Sequence, residues 1–145
     1  MTRRRVVAAL AVVAGGLVIW LVAPAVTSTG PREDLPPAYA GRANPRAGEA
    51  DTVAVGAALF KDECTSCHGP DADGRGPAAT GLTPPPANLR GGDTLLRHSD
   101  AYLYYRLSEG KPGTAMPSFR GALDEAERWA LVAYLRSLHP DDGRR

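Results

Sequence analysis

Apolar residues recur at helical spacing in three segments of the chain. In the clearest segment they occupy one face at i, i+3, i+4 and i+7, namely Leu131, Tyr134, Leu135 and Leu138. Asp124, with Glu127 three residues later, is typical of a capping box at a helix N-terminus. Pro140 cannot continue a helix. The pattern therefore predicts a C-terminal helix between Asp124 and Pro140.

Two earlier helices are predicted by the same criteria. The first runs from Asp51, a favourable N-cap residue, to Glu63, and Val55 and Leu59 lie four residues apart on one of its faces.

The second begins at Ser99 or Asp100 and continues to Glu109, where Gly110 favours its end. Leu103 and Leu107 share one face of this helix. Residues 69–92 are rich in Gly, Pro and small side chains, which predicts a loop. Because no segment shows the alternation typical of a strand, the predicted fold class is all-α.

A different pattern precedes the helices. Val6–Val26 contains no charged residue and follows Arg3, Arg4 and Arg5, which predicts a membrane-spanning helix with the arginines on the cytoplasmic side. Trp20 near its far end suits the membrane interface. The alternative is a cleaved signal peptide, because Ala23-Pro24-Ala25 resembles a cleavage site. Both interpretations place the rest of the chain on the periplasmic or extracellular side.

The N-terminal pattern and the helices together divide the chain into four parts. Residues 1–26 form the anchor or signal segment, and residues 27–50, with repeated Pro and Gly and no apolar period, form a flexible linker. Residues 51–140 form the helical domain, and residues 141–145 form a polar tail.

The charge of the chain excludes one class of partner. The formal net charge is +1, and no basic stripe or basic and aromatic interleaving is present. We therefore expect no nucleic acid as a partner.

The candidate chemistry lies in Cys64-Thr65-Ser66-Cys67-His68, which contains both cysteines of the chain. C-x-x-C-H is the attachment signature of c-type haem. In it the two thiols form thioether bonds with the porphyrin, and the histidine binds the iron. We therefore predict one covalent haem c, attached through Cys64 and Cys67, with His68 as the proximal iron ligand.

Other sites built on two cysteines fit this sequence less well. A disulfide would close a very short ring and would leave His68 without a role. A zinc site needs further Cys or His ligands, whereas His98 and His139 are isolated. A thioredoxin-like pair would follow an apolar strand, but the residues before Cys64 predict a helix.

The sixth iron ligand separates an electron carrier from a catalyst or sensor. Met116 is the candidate, because it lies in a loop between Gly113 and Pro117, whereas a core methionine usually lies on an apolar helical face. His98 is a competing ligand, although its charged neighbours indicate a solvated helix start. An open sixth position is the third alternative.

These features resemble the class I cytochromes c across residues 51–140. Gly56 and Phe60 resemble the family's N-terminal helix, and Leu131 and Tyr134 resemble its partners on the last helix. The segment 113–119, GTAMPSF, resembles the methionine-ligand loop of small bacterial members.

Gly76-Pro77 resembles the segment whose proline carbonyl accepts a hydrogen bond from the proximal histidine. The resemblance therefore implies that the carbonyl of Pro77 accepts such a bond from His68.

The resemblance implies a cytochrome c-like fold of three main helices around the haem, and one-electron transfer as the activity. We expect a membrane-tethered carrier in a respiratory chain, with His68 and Met116 as iron ligands. Its partners would be redox proteins: a quinol-oxidising complex or another donor, and a terminal oxidase or reductase. The alternatives are a haem with an open sixth site, as in a peroxidase or gas sensor, and a cytochrome subunit fixed in an oxidoreductase complex.

Overall fold

The computed structural model describes residues 10–14, 17–21, 34–91 and 94–139. Its contacts divide the chain into two units, residues 1–30 and residues 31–145, which are described separately.

The second unit is helical throughout its described residues. It contains five α-helices and a short 3-10 turn at Pro77–Ala79. The helices are α1 (Ala50–Glu63), α2 (Thr65–His68), α3 (Thr94–Arg97), α4 (Asp100–Glu109) and α5 (Glu125–Ser137). The all-α prediction is confirmed for this unit. α1, α4 and α5 are the three predicted helices, whereas α2 and α3 are single turns that the periodicity did not reveal.

The predicted capping box of α5 is confirmed. The backbone N–H of Glu127 donates to Asp124 Oδ1 at 2.8 Å, and the backbone N–H of Asp124 donates to Glu127 Oε2 at 2.7 Å. α4 likewise begins with a side-chain cap, because Ser99 Oγ accepts the backbone N–H of Tyr102 at 3.1 Å. These caps satisfy orphan donors at the helix N-termini and define where the two helices begin.

α1 and α5 cross at Gly56. A Cβ atom at Gly56 would lie 2.0 Å from the carbonyl oxygen of Ala130 and 2.8 Å from Tyr134 Cβ. One turn later, the rings of Phe60 and Tyr134 pack with their centroids 5.2 Å apart. Only glycine allows this separation of the two helix backbones.

The core lies between the crossed pair and α4. Its fully or nearly fully buried apolar side chains come from the three long helices, from α3 and from the loop before α5: Phe60, Leu95, Leu103, Tyr104, Leu107, Leu123, Trp129, Leu131, Val132 and Leu135. Partly buried side chains, Met116 and Phe119 among them, pack against this cluster.

The first unit corrects the helix predicted for residues 6–26 at residues 10–14 and 17–21, and the rest of that segment lies outside the described residues. Its described residues form two antiparallel strands, β1 (Leu10–Ala14) and β2 (Leu17–Leu21), with Leu10 paired to Leu21. The prediction rested on apolar length, which does not distinguish a helix from a strand, and this segment is rich in the β-branched residues that favour strands. Within the described residues, no helix combines the length and apolarity needed to cross a membrane.

The flexible linker predicted for residues 27–50 is wrong for residues 34–49, which pack on the helical unit. Tyr39 is 8% exposed and its hydroxyl donates to Glu109. Asn44 is 9% exposed, and its Nδ2 donates to the carbonyl of Trp129 at 2.9 Å. Pro and Gly content predicted the irregular backbone, but it did not reveal these side-chain anchors. Residues 27–33 lie outside the described residues.

Candidate functional site

The C-x-x-C-H segment continues directly from α1. The backbone N–H of Cys64 donates to the carbonyl of Phe60 at 3.0 Å and closes α1. The N–H of Cys67 and that of His68 then donate to the carbonyl of Cys64, at 3.2 and 2.8 Å. The segment is therefore one helical turn, with Cys64 buried and with Cys67 and His68 half-buried.

Cys64 and Cys67 are not joined by a disulfide. Burial, followed by the charges of Glu63 and Cys67, raises the pKa of the Cys64 thiol to about 12. At neutral pH this group is therefore protonated and is a poor nucleophile, which argues against a redox-active dithiol. Among the described residues, no three His, Cys, Asp or Glu side chains are grouped so that they could hold a metal ion, which argues against a zinc site there.

The imidazole of His68 is held by a backbone carbonyl. Its Nδ1 lies 3.0 Å from the carbonyl oxygen of Ala87, so the neutral ring donates its Nδ1–H there. Burial lowers the pKa of His68, and the hydrogen bond to Ala87 opposes this effect. The ring is therefore kept neutral, with Nε2 as the nitrogen available to a metal.

The acceptor corrects the inference drawn for Pro77. Pro77 begins the 3-10 turn, and the carbonyl that His68 contacts belongs to Ala87 instead. The preceding Gly76 packs against the motif itself: its N–H donates to the carbonyl of Cys67 at 3.0 Å, and a Cβ atom there would lie 2.3 Å from the carbonyl oxygen of Ser66. Gly76 thus packs the loop directly against the C-x-x-C-H segment, just before the 3-10 turn that begins at Pro77.

Ala87 is positioned by its own turn. Asn88 Oδ1 accepts the N–H of Arg90 at 3.0 Å and the N–H of Gly91 at 2.6 Å. The N–H of Leu89 donates to the carbonyl of Ala72 at 2.7 Å, which fastens this turn to an earlier part of the loop. Ala87 and Asn88 were not predicted from the sequence. Pro84-Pro85-Pro86, with Asn88 two residues after the last proline, indicates a turn, but nothing in this segment identifies the hydrogen-bond acceptor of His68.

Met116 lies in a loop attached to the C-terminal end of α4. The N–H of Lys111 donates to the carbonyl of Met116 at 3.1 Å, and the N–H of Met116 donates to Thr114 Oγ1 at 3.2 Å. Beyond the methionine, the N–H of Phe119 donates to the carbonyl of Leu107 at 3.0 Å. Met116 is half-buried and packs against the core, so the loop presents a thioether towards the interior.

The other two histidines have different surroundings. The ring of His98 stacks on the ring of Tyr102, with centroids 3.9 Å apart and an interplanar angle of 14°. His139 Nε2 lies 2.8 Å from the carbonyl oxygen of Leu89. The stacking of His98 does not favour it as an iron ligand.

The chemistry of the candidate side chains fits haem c. Two unpaired thiols lie on one helical turn, a neutral imidazole is oriented through Nδ1, and a thioether packs against the apolar core. This donor set is that of a His/Met haem with two thioether attachments.

Residues 53–139 match the family model for cytochrome c. The chain belongs to the cytochrome c family. This cytochrome therefore carries one covalently attached haem c and acts as an electron carrier or as a redox subunit.

Two curated relatives contain a similar segment. The dihydro-heme d1 dehydrogenase of Pseudomonas aeruginosa is 36% identical over 88 residues, covering 60% of this chain and 16% of that protein. The cbb3-type cytochrome c oxidase subunit CcoP of an Azospirillum species is 31% identical over 96 residues, covering 66% of this chain and 31% of that subunit. The chain thus aligns with less than a third of the length of either relative.

Solved structures share the fold. The reducing HAO-like protein complex of Kuenenia stuttgartiensis contains a chain that aligns with a TM-score of 0.52 and 32% identity, covering 61% of this chain and 44% of that one. Cytochrome cL of Methylophaga aminisulfidivorans also aligns with a TM-score of 0.52, at 19% identity, covering 85% of this chain and 75% of that one. The second likeness concerns the fold alone.

Proposed function

We propose that this cytochrome transfers single electrons through a haem iron held between His68 and Met116, with the porphyrin attached to Cys64 and Cys67. The observation that carries the proposal is the hydrogen bond from His68 Nδ1 to the carbonyl of Ala87 at 3.0 Å, in the same helical turn as the two cysteines. A histidine oriented in this way offers Nε2 to a metal, as is usual for metal-binding histidines.

The haem supplies a one-electron couple, and the chain's own residues set its properties. Donation from His68 Nδ1 to Ala87 fixes the ring plane and increases the basicity of Nε2. The thioether of Met116 favours the reduced state more than a second imidazole would. If both side chains stay bound in either oxidation state, no ligand would have to be gained or lost during electron transfer. We therefore expect a comparatively high reduction potential.

The proposed setting is the outer side of the cytoplasmic membrane. The sequence pattern of an uncharged segment 6–26 behind three arginines supports export, with the segment either retained or cleaved. Membrane fractionation with haem staining distinguishes the two, because an anchored protein stays with the membranes at full size. Haem-stained protein only in the cytoplasm would contradict export.

The proposed partners are redox proteins. One relative is by name a subunit of a cbb3-type cytochrome c oxidase, and one structural neighbour belongs to an HAO-like complex. We infer a donor such as a quinol-oxidising complex and a terminal oxidase or reductase as acceptor.

A second candidate is a cytochrome fixed within an oxidoreductase complex. It is favoured by the relatives, in which the matching segment occupies only 16% and 31% of the protein. Purification of the native protein separates the two, because a free carrier elutes alone and a fixed subunit elutes with the complex.

Replacing Met116 with alanine tests the ligand assignment. We expect covalent haem to be retained, the iron to become high-spin and the reduction potential to fall, because the thioether is lost. Absorption spectroscopy of both oxidation states and a redox titration measure these changes.

His98→Ala is the matched control, since it removes the competing ligand, and it should leave the spectrum unchanged. A Met116→Ala protein with the original low-spin spectrum would contradict the assignment. Rapid carbon monoxide binding by the unaltered reduced protein would instead favour an open sixth site.

A further inference from the structure

The methionine loop starts at a glycine that lies directly against the methionine's own backbone. Gly110 has a φ of +72°, and a Cβ atom there would lie 2.7 Å from both the carbonyl oxygen of Met116 and the carbonyl carbon of Pro117. The Gly110 peptide and the Met116-Pro117 peptide are therefore in backbone contact. A displacement of Gly110 is transmitted to the residue that carries the thioether.

Arg106, one turn earlier on α4, holds Gly110 by two hydrogen bonds. The N–H of Gly110 donates to the carbonyl of Arg106 at 2.8 Å, which caps the helix. The guanidinium Nη1 of Arg106 donates to the carbonyl of Gly110 at 3.2 Å. The second bond is a charge-assisted one, a class roughly twice as strong as a bond between neutral groups.

Two tyrosine rings hold the guanidinium group in place. Its central carbon lies 4.2 Å from the ring centroid of Tyr105 and 5.0 Å from that of Tyr102. Both rings are partly buried and pack, as Met116 does, against the apolar core. The planar group is therefore restrained by cation–π contacts on the core side of the loop.

The Arg106 side chain forms few other polar contacts with the described residues. Within the described ranges, it forms no ion pair with a carboxylate, and its buried Nε has no hydrogen-bond partner. Burying a cation that has no carboxylate partner costs desolvation energy. The hydrogen bond that the guanidinium does form therefore indicates a role for Arg106. The only acceptor that the side chain reaches there is the Gly110 carbonyl.

We propose that Arg106 is the positioning residue of the methionine loop: through the Gly110 carbonyl, its guanidinium group keeps Met116 in the orientation that ligates the iron. This inference rests on the proposed ligation by Met116. Arg106 would act through the backbone contact between Gly110 and the Met116-Pro117 peptide.

Imidazole is the probe that measures this effect. It competes with Met116 for the iron of the oxidised protein, so its apparent affinity reports how readily the loop withdraws. Loss of one charge-assisted hydrogen bond corresponds to about tenfold in that equilibrium. We expect Arg106→Gln, in the full-length holoprotein, to bind imidazole about tenfold more tightly than the unaltered protein.

Arg106→Lys and Arg46→Gln complete the set. Lysine keeps the charge but lacks the planar fork, so its imidazole affinity should fall between those of the unaltered protein and Arg106→Gln. Arg46 is exposed and pairs with Glu49 at 2.7 Å, so Arg46→Gln removes the same charge elsewhere and should leave the affinity unchanged. If Arg106→Gln does not accumulate as holoprotein, Arg106→Lys decides: tighter imidazole binding supports the proposal, and an unchanged affinity overturns it.

A double-mutant cycle separates positioning from general destabilisation. In a Met116→Ala background there is no thioether to displace, so Arg106→Gln should no longer alter imidazole affinity. An equal gain in both backgrounds would overturn the positioning role, and so would an unchanged affinity in Arg106→Gln alone. Failure of the underlying ligand assignment is seen independently, as a Met116→Ala spectrum identical to that of the unaltered protein.

Discussion

The two proposed iron ligands come from regions held in contrasting ways. His68 directly follows Cys67 on one helical turn, and a single carbonyl, that of Ala87, orients its ring. Met116 lies in a distant loop whose place depends on hydrogen bonds to Lys111, to Thr114 and, through Phe119, to α4.

The contrast shows where ligation is vulnerable. If the haem is attached at Cys64 and Cys67 as proposed, His68 would stay beside the iron even when its surroundings loosen. Met116 has no such attachment, and only non-covalent contacts of the loop keep its sulfur in place. We therefore expect changes in the methionine loop to alter ligand exchange, and changes near His68 to alter mainly the electronic properties of the bound ring.

The largest expected effect comes from removing the attachment on the histidine side. The double variant Cys64→Ala, Cys67→Ala should contain no covalent haem and should be largely unfolded, because the small helical unit lacks a sufficient core without the ring. Haem staining and circular dichroism measure the two effects.

Met116→Ala is the matched comparison, since it should keep both the covalent haem and the helical signal. If the cysteine-free variant still held haem through denaturing electrophoresis, covalent attachment at Cys64 and Cys67 would be contradicted.

The helix crossing supports both regions and gives the next effect. In Gly56→Ala the new methyl group would meet the Ala130 carbonyl oxygen at 2.0 Å, so α1 and α5 must separate. Overpacking of this kind reduces the free energy of unfolding by about 1–3 kcal/mol, although alanine favours helix more than glycine does. Denaturant unfolding of the holoprotein measures the change.

Gly121→Ala is the control, because nothing lies within 4 Å of a Cβ atom there. It should be neutral or slightly stabilising. Equal stabilities for the two variants would show that the crossing is not tight.

The smallest effects compare the two loops directly. Thr114→Ala removes the hydroxyl that accepts the N–H of Met116 at 3.2 Å and donates to the carbonyl of Lys111 at 2.7 Å. Asn88→Ala removes the cap of the turn that carries Ala87. Each lost hydrogen bond corresponds to about 0.5–1.5 kcal/mol.

We expect Thr114→Ala to strengthen imidazole binding a few-fold and Asn88→Ala to leave it unchanged. Asn88→Ala should instead raise the reduction potential, because a weaker bond to Ala87 lowers the basicity of His68. Imidazole and redox titrations of both variants provide the comparison. Stronger imidazole binding in Asn88→Ala, with a changed reduction potential only in Thr114→Ala, would contradict the proposed difference between the two loops.

Local patterns in the sequence were enough to predict the helical frame. The spacing of Leu131, Tyr134, Leu135 and Leu138 and the Asp124–Glu127 pair predicted α5 to within a residue or two at its start, because periodicity and capping depend on residues within one or two turns. The C-x-x-C-H motif predicted the haem for the same reason, since its chemistry lies within five consecutive residues.

Features that join distant residues were not predictable in this way. The prediction of a helix over residues 6–26 and that of a flexible linker over residues 27–50 both relied on composition. Composition contains no information on strand pairing or on the packing of Tyr39 and Asn44. The acceptor for His68 was assigned to Pro77 through a resemblance, whereas it is Ala87.

The difference between the features that were predictable from the sequence and those that were not has a physical cause. The backbone carbonyl of any residue can accept a hydrogen bond, so the identity of Ala87 does not indicate its role. Only the path of the chain decides which carbonyl contacts the imidazole. The same holds for the Gly110 carbonyl and Arg106. The amino-acid sequence by itself determined which groups can bind haem, and only the tertiary structure decided which backbone atoms orient them.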